Sequence, residues 1–456
     1  MRADRSRLPD LGPDPAFRFP LVVGHALANG LQVRTVEHQS VPVVTFVLQI
    51  AGGAGGDPRG REGLAAITAD MVDEGTGDLS AIEVSEGFAR IGAEYDVEVG
   101  ADATSFTLTT LSRFAQPGAA LLADLLVRPS LREDDFDRVR QLRLDRLRQL
   151  KDLPAAVAER AFLRLMYGEH PYGHLAIGHE AALRALDPDQ VAAFHAATFR
   201  PARATLVVAG PLSHEQLLAL AGTAFSGWAA GSRGPDGAGA ADTDPDTLPP
   251  RLAIVAREGA AQSELRIGHL SARRNTPDYP ALLVMNAVLG GQFVSRINLR
   301  LREEKGYTYG ARTGFDWRRG LAPFSLQASV HTSSTADAIR DSLGEFGAIS
   351  GSRPPSDSEL ALAKASLTRG YPRNFETAQQ VARAVAMVAL YGLPDSYFEA
   401  FIPKVQAVGV ADVRRVAERY VDPARAVVLI VGDYQVIADS LGSLGRGAPH
   451  LLPSDV

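Results

Sequence analysis

Two groups of residues in this chain have types and spacings that suit peptide-bond chemistry, and each group is incomplete. In NLRLREEKGYTYG, Arg300 and Tyr307 lie seven residues apart across a helix end at Gly306. A tyrosine hydroxyl can donate to the oxyanion of a tetrahedral intermediate, and a guanidinium can hold a substrate carbonyl. Arg302 and Tyr309 are the neighbouring candidates, selected by a small shift of register. The plainer alternative makes Arg300 a surface helix residue and Tyr307 a core aromatic. The second group is EGLAAITADM, Glu62 to Met71. Leu64, Ile67 and Met71 recur at helical spacing and face a core, which leaves Ala66 and Asp70 four residues apart on another face with Ala69 beside them. An active-site helix carries its ligands on such a face. Here only Asp70 has a donor atom, and one carboxylate does not hold zinc.

The histidines do not supply what is missing. His179-Glu180 and His214-Glu215 each begin an HExxH pattern and lack its second histidine, while His170 and His174 flank Pro171-Tyr172-Gly173, a turn. Walker loops, GxSxG elbows and dinucleotide fingerprints are all absent from the sequence. With no cysteine, disulfides, thiolate metal sites and thiol nucleophiles are excluded.

The elements that must position these residues come in two similar halves. FRPARATLVVAG, Phe199 to Gly210, returns as YVDPARAVVLIVG, Tyr420 to Gly432, with Pro201 and Pro423 separated by 222 residues. Each copy follows an amphipathic helical segment, Asp189 to Thr198 or Ala411 to Glu418, and enters a β-branched run that reads as a buried strand. Between the copies, Ala229 to Pro250 is dense in Gly, Pro, Ala and Asp, the composition of an exposed linker. The expected domains are therefore residues 1–228 and 251–456, joined by 229–250. Val41 to Ile50, Ala103 to Leu111 and Phe324 to Val330 read as strands, and Phe136 to Gln149 and Pro154 to Met166 as helices. Strands and helices mix without βαβ alternation, which predicts α+β halves, each a mostly antiparallel sheet packed with helices.

The helix at Glu62 to Met71 resembles that of the pitrilysin/insulinase family of zinc metallopeptidases, whose pattern is Gly-Leu-Ala-His-x-x-Glu-His-Met. The resemblance extends through GEHPYGHLAIG, LGGQFVSRINLRLREEKGYTYG and AVVLIVGD, and spans roughly residues 20–440. It implies that the two zinc histidines fall on Ala66 and Asp70 and the catalytic glutamate on Ala69. Two further family glutamates, the second of them a zinc ligand, fall on Val139 and Arg146. Alanine, valine and arginine supply no zinc donors, so no cofactor is expected in this chain. The family also has an arginine–tyrosine pair that completes an active site whose zinc lies in another half or subunit, and it corresponds to Arg300 and Tyr307.

The resemblance thus implies the non-zinc subunit of a heterodimeric peptidase. A homologous partner subunit would bring zinc and the catalytic base, and peptides or unfolded protein segments would be the substrates, bound as an added β-strand. The second reading is a structural or peptide-binding scaffold of the same fold without catalytic duty.

Composition agrees with a globular chain of more than one domain: 456 residues, 46% hydrophobic, with a net charge of −6. That balance gives no electrostatic reason for nucleic acid or anionic membrane as a partner. The basic run from Arg138 to Lys151 reads as the solvated face of a helix. The N-terminal residues contain no apolar signal region, and no run of about 18 apolar residues follows. As written the chain is expected to be soluble and cytoplasmic, or periplasmic if Met1 heads a recloned mature form.

Overall fold

β-Branched runs broken by turn residues build two six-stranded sheets, one in each half of the computed structural model, which describes residues 17–230 and 243–453. The first sheet contains β1 (Val22–Ala26), β2 (Gln32–Glu37), β3 (Val43–Ala51), β4 (Glu94–Val99), β5 (Ala103–Leu111) and β6 (Ala204–Gly210). Their spatial order is β1-β2-β6-β3-β5-β4, and only the β2–β6 pair is parallel. The second contains β7 (Leu252–Ala256), β8 (Gln262–Leu270), β9 (Thr308–Phe315), β10 (Pro323–His331), β11 (Val427–Gly432) and β12 (His450–Leu452). Its order is β9-β10-β8-β11-β7-β12, with β7 parallel to both its neighbours. The fold is α+β with mostly antiparallel sheets, as the sequence implies. The two repeat strands, β6 and β11, take the same place in the two orders, and β4 and β9 are the matching edge strands. Of the expected linker, residues 231–242 lie outside the described residues, as do residues 1–16 and 454–456 of the expected domains.

Six helices matter for the site: α1 (Leu64–Val72), α2 (Glu133–Lys151), α3 (Pro154–Tyr167), α4 (Tyr279–Leu289), α5 (Thr335–Ala348) and α6 (Ala378–Leu390). Each sheet buries one face under helices of its own half. The other face is covered by a helix from the opposite half. α6 lays Val381, Ala382 and Val385 against Val47, Val207 and Ala209 of the first sheet, while α3 lays Val157, Ala158 and Phe162 against Ala253, Leu429 and Val431 of the second. Both helices are amphipathic and turn their apolar faces to the sheets.

A buried polar junction fixes the two halves to each other. The Arg318 guanidinium lies over the rings of Tyr167 and Tyr172 at 4.9 and 4.8 Å and donates to the Tyr172 carbonyl at 3.2 Å. Asp102 accepts from the Tyr172 hydroxyl and from the Arg319 amide. Among the described residues no helix is long and apolar enough to cross a membrane.

Candidate functional site

α1 begins where two backbones press together. A Cβ on Gly178 would lie 2.2 Å from the Glu62 carbonyl oxygen, so glycine alone permits the approach. Asp57 then caps the helix, accepting from the amides of Gly63 at 2.7 Å and Ala65 at 2.6 Å, and buried His174 donates to the same carboxylate from Nε2 at 3.0 Å. His174 is thus committed to holding α1 in place.

The helix so positioned turns Leu64, Ile67 and Met71 into a core with Phe136, Val139 and Leu147 of α2, as their spacing implies. Ala66 and Ala69 are not on an open face: they are 2% and 0% exposed, with Ala69 packed towards the first sheet. Asp70 emerges beside α2, where Arg143 donates from Nε to its Oδ2 at 2.7 Å. Val139 sits in the core, and Arg146 is exposed and hydrogen-bonded to Gln149 on its own helix. The α2 residue that reaches Asp70 is therefore Arg143, one turn from both positions marked by the resemblance. Sequence periodicity alone places all three on neighbouring stripes.

Zinc does not fit this seam. Two of the three α1 positions are buried alanines, and the remaining carboxylate already faces a guanidinium that would repel a divalent ion. Among the described residues no three His, Asp or Glu side chains are grouped to hold a metal. Burial raises the pKa of Asp70 against the pull of Arg143. Asp73, at the end of α1, is pushed up to about 7 by burial and by the neighbouring Glu74 and Asp70.

The second group lies at the matching corner of the other half. After α4, a helical turn Arg296–Asn298 runs into a π-helical stretch, Leu299–Glu304, a form often found at functional positions. Gly306, at φ 64°, reverses the chain into β9, whose ladder with β10 slips between Thr308 and Ala311. Arg300 and Tyr307 are brought to one wall, facing α5. Arg300 donates to Glu304 at 2.8 Å and to Asp341 at 3.3 Å, on the rim of a 650 Å³ cavity whose other arginines are also held by carboxylates. Tyr307 is half-buried, and burial, then Asp337 and Asp341, raise its pKa.

The neighbouring pair is placed differently. Tyr309 is 97% exposed at the irregularity in the β9 ladder. The Arg302 guanidinium lies 4.0 Å from the centre of the Phe293 ring and pairs through Nη2 with Glu303 at 3.3 Å, while its Nη1 is buried without a hydrogen-bond partner. Arg300/Tyr307 and Arg302/Tyr309 share one spacing, so spacing does not choose between them; they differ in the exposure of the tyrosine.

Comparison with known proteins places this geometry in a family. The family model described as insulinase (peptidase family M16) matches residues 32–179, and that described as peptidase M16 inactive domain matches residues 185–367. An uncharacterized zinc protease of Mycobacterium tuberculosis is 24% identical over 396 residues, covering 86% of this chain and 89% of the relative. A probable mitochondrial-processing peptidase subunit beta of Schizosaccharomyces pombe is 24% identical over 268 residues, 58% of each chain. The solved structure of a peptidase M16 inactive domain from Pseudomonas fluorescens shares the fold with a TM-score of 0.84 and 24% identity, covering 90% of this chain and 98% of its own. A protease from Helicobacter pylori gives a TM-score of 0.82 at 19% identity, covering 91% and 100%. The two family models together span well over half of the sequence, so this chain belongs to the insulinase (M16) family of peptidases, as a member without the zinc donors of the family's helix.

Proposed function

We propose that this chain is the metal-free half of a two-subunit peptidase, joined to a homologous chain that carries zinc and the catalytic base. The observation that carries this reading is the contrast inside the molecule. The helix seam that would hold a metal is packed shut, while on the other half the Tyr309 side chain stands almost wholly in solvent, seven residues after Arg302. A half-site of that kind performs no hydrolysis by itself. In the complex, the Tyr309 hydroxyl donates to the oxyanion formed when the scissile carbonyl is attacked, and Arg302 holds a carbonyl of the peptide. Arg300/Tyr307 is the competing register; Arg300 pairs with Glu304 and Asp341 as Arg302 pairs with Glu303, so the feature that favours the second register is the exposure of Tyr309. The substrates are peptides or unfolded segments, bound extended against a sheet edge.

The test is co-expression with a homologous chain bearing an intact His-x-x-Glu-His, followed by gel filtration and a peptide-cleavage assay. The two should associate through an interface on the order of 2,000 Å² or more. The isolated chain should hold no stoichiometric zinc. Within the complex, Tyr309→Phe should lower kcat by roughly 10²–10³ with zinc content and association unchanged, and Tyr307→Phe should change it by less than about twofold. The reverse result returns the site to Arg300/Tyr307. Full activity in both variants makes the chain a scaffold.

A further inference from the structure

Where β8 ends, the chain pairs with the turn that leads into β10. The Ser271 amide donates to the Ala322 carbonyl at 2.8 Å, and the Arg274 amide donates to the Arg318 carbonyl at 3.0 Å. The end of α6 closes on the same turn through the Tyr391 hydroxyl, which donates to the Trp317 carbonyl at 3.2 Å. These three segments enclose a cavity of 450 Å³, a size that suits a small molecule. Arg273, Asn275, Arg319 and Tyr391 supply its polar walls, and no described acidic residue lines it.

The charges around this cavity do not balance. Arg274, between two of the wall residues in sequence, is 4% exposed. Its guanidinium lies 3.7 Å from the centre of the Tyr279 ring and 5.6 Å from that of Tyr391, and donates to the Tyr397 hydroxyl at 2.6 Å. Its Nη1 is buried without a partner. The nearby carboxylates are spent elsewhere: Asp278 on Arg415 and Tyr420, Asp316 on Arg318. Tyrosine faces offset part of the cost of burying a cation, but a guanidinium taken out of water is ordinarily matched by an anion. On the wall itself, Arg273 is paired with Asp244. Arg319 is exposed, with its amide on Asp102, and among the described residues its guanidinium meets no carboxylate.

We propose that this cavity binds a small dianion, a phosphate or a dicarboxylate, with the Arg319 fork and the Asn275 amide as donors. Both anions offer paired oxygens that match a guanidinium fork. The charge of Arg274, buried against the wall residue Tyr391, adds attraction without contact, since low-dielectric walls of one sign concentrate counter-ions. The site is separate from the Arg302/Tyr309 corner, and its occupancy requires no partner subunit.

The test is isothermal titration of the full chain at constant ionic strength, with inorganic phosphate in one arm and succinate in the other. At least one should bind at one per chain with a Kd below about 1 mM. Arg319→Ala should weaken that binding about tenfold or more and Asn275→Ala about threefold, with an unchanged circular dichroism spectrum because both side chains are exposed. Arg90→Ala, which removes an exposed guanidinium from the first half, should leave it unchanged. Tighter binding of phosphate assigns the site to phosphate monoesters, and tighter binding of succinate to dicarboxylates. No binding of either up to about 10 mM overturns the site. So does binding that Arg319→Ala leaves intact, or that Arg90→Ala weakens equally.

Discussion

The seam between α1 and α2 and the corner between the Phe293 loop and β9 have had opposite fates. At the seam, positions that once could carry polar ligands are filled with alanine, valine and a single ion pair, and the surroundings have closed over them. At the corner, large apolar and polar groups stay in solvent and an arginine nitrogen stays unpaired. Packing erases a site that has stopped working, because closing it gains buried apolar area and dispersion. A surface that still meets a ligand keeps its unsatisfied groups. The difference between the two regions is the one expected if the seam has no ligand and the corner, as proposed, has one.

Five substitutions sharpen or break that comparison. Ala69→Glu places a carboxylate in a fully buried position with no counter-ion, and should cost more than about 3 kcal/mol in urea unfolding. A cost below about 1 kcal/mol would mean that the seam is open after all. Arg143→Leu strips Asp70 of its partner and should cost about 1–2 kcal/mol, a modest figure because Asp70 is half exposed. Adding Asp70→Ala should recover most of the loss, and two simply additive costs would show that the pair is not coupled.

Asp73→Asn concerns pH. A carboxyl raised from its ordinary value to about 7 binds more protons folded than unfolded, so its presence lowers stability as pH rises between about 4 and 7. Asparagine should match the protonated acid below pH 4 and exceed the aspartate by about 1 kcal/mol at pH 8, discounted for partial exposure. Equal melting temperatures at pH 8 would show that the acid cluster at the end of α1 is relaxed by solvent. The smallest effect is expected at the corner: Tyr309→Ala should alter stability by less than about 0.5 kcal/mol, since the side chain packs on almost nothing. A larger loss would turn Tyr309 into a structural residue and remove the contrast.

Much of the scaffold is legible in the sequence, because repeats and periodicity are local signals. The 222-residue repeat predicts two matching sheets, and the alternation in Phe324 to Val330 predicts a strand with two unlike faces, as found in β10. Which sheet an apolar helix face meets is not local. Pro154 to Met166 reads simply as a helix, and nothing in the residues of α3 or α6 says that each crosses to the other half. The site divides in the same way. The absence of metal donors at Ala66 and Ala69 is written in the residues themselves. Arg143 is marked only by lying on a helix already rich in arginine, and the choice between Tyr307 and Tyr309 depends on exposure, which a two-residue shift in register reverses.

The crossing of α3 and α6 also sets a timetable for biosynthesis. The first sheet is complete in the nascent chain at Gly210, but α6, which covers Val47 and Val207, begins at Ala378, roughly 170 residues later. At about 5–20 residues per second, that sheet waits roughly 10–30 s with an apolar face bare to whatever meets it at the ribosome. The cell therefore has to shelter a half-finished protein whose last protective piece comes from the far end of its own message.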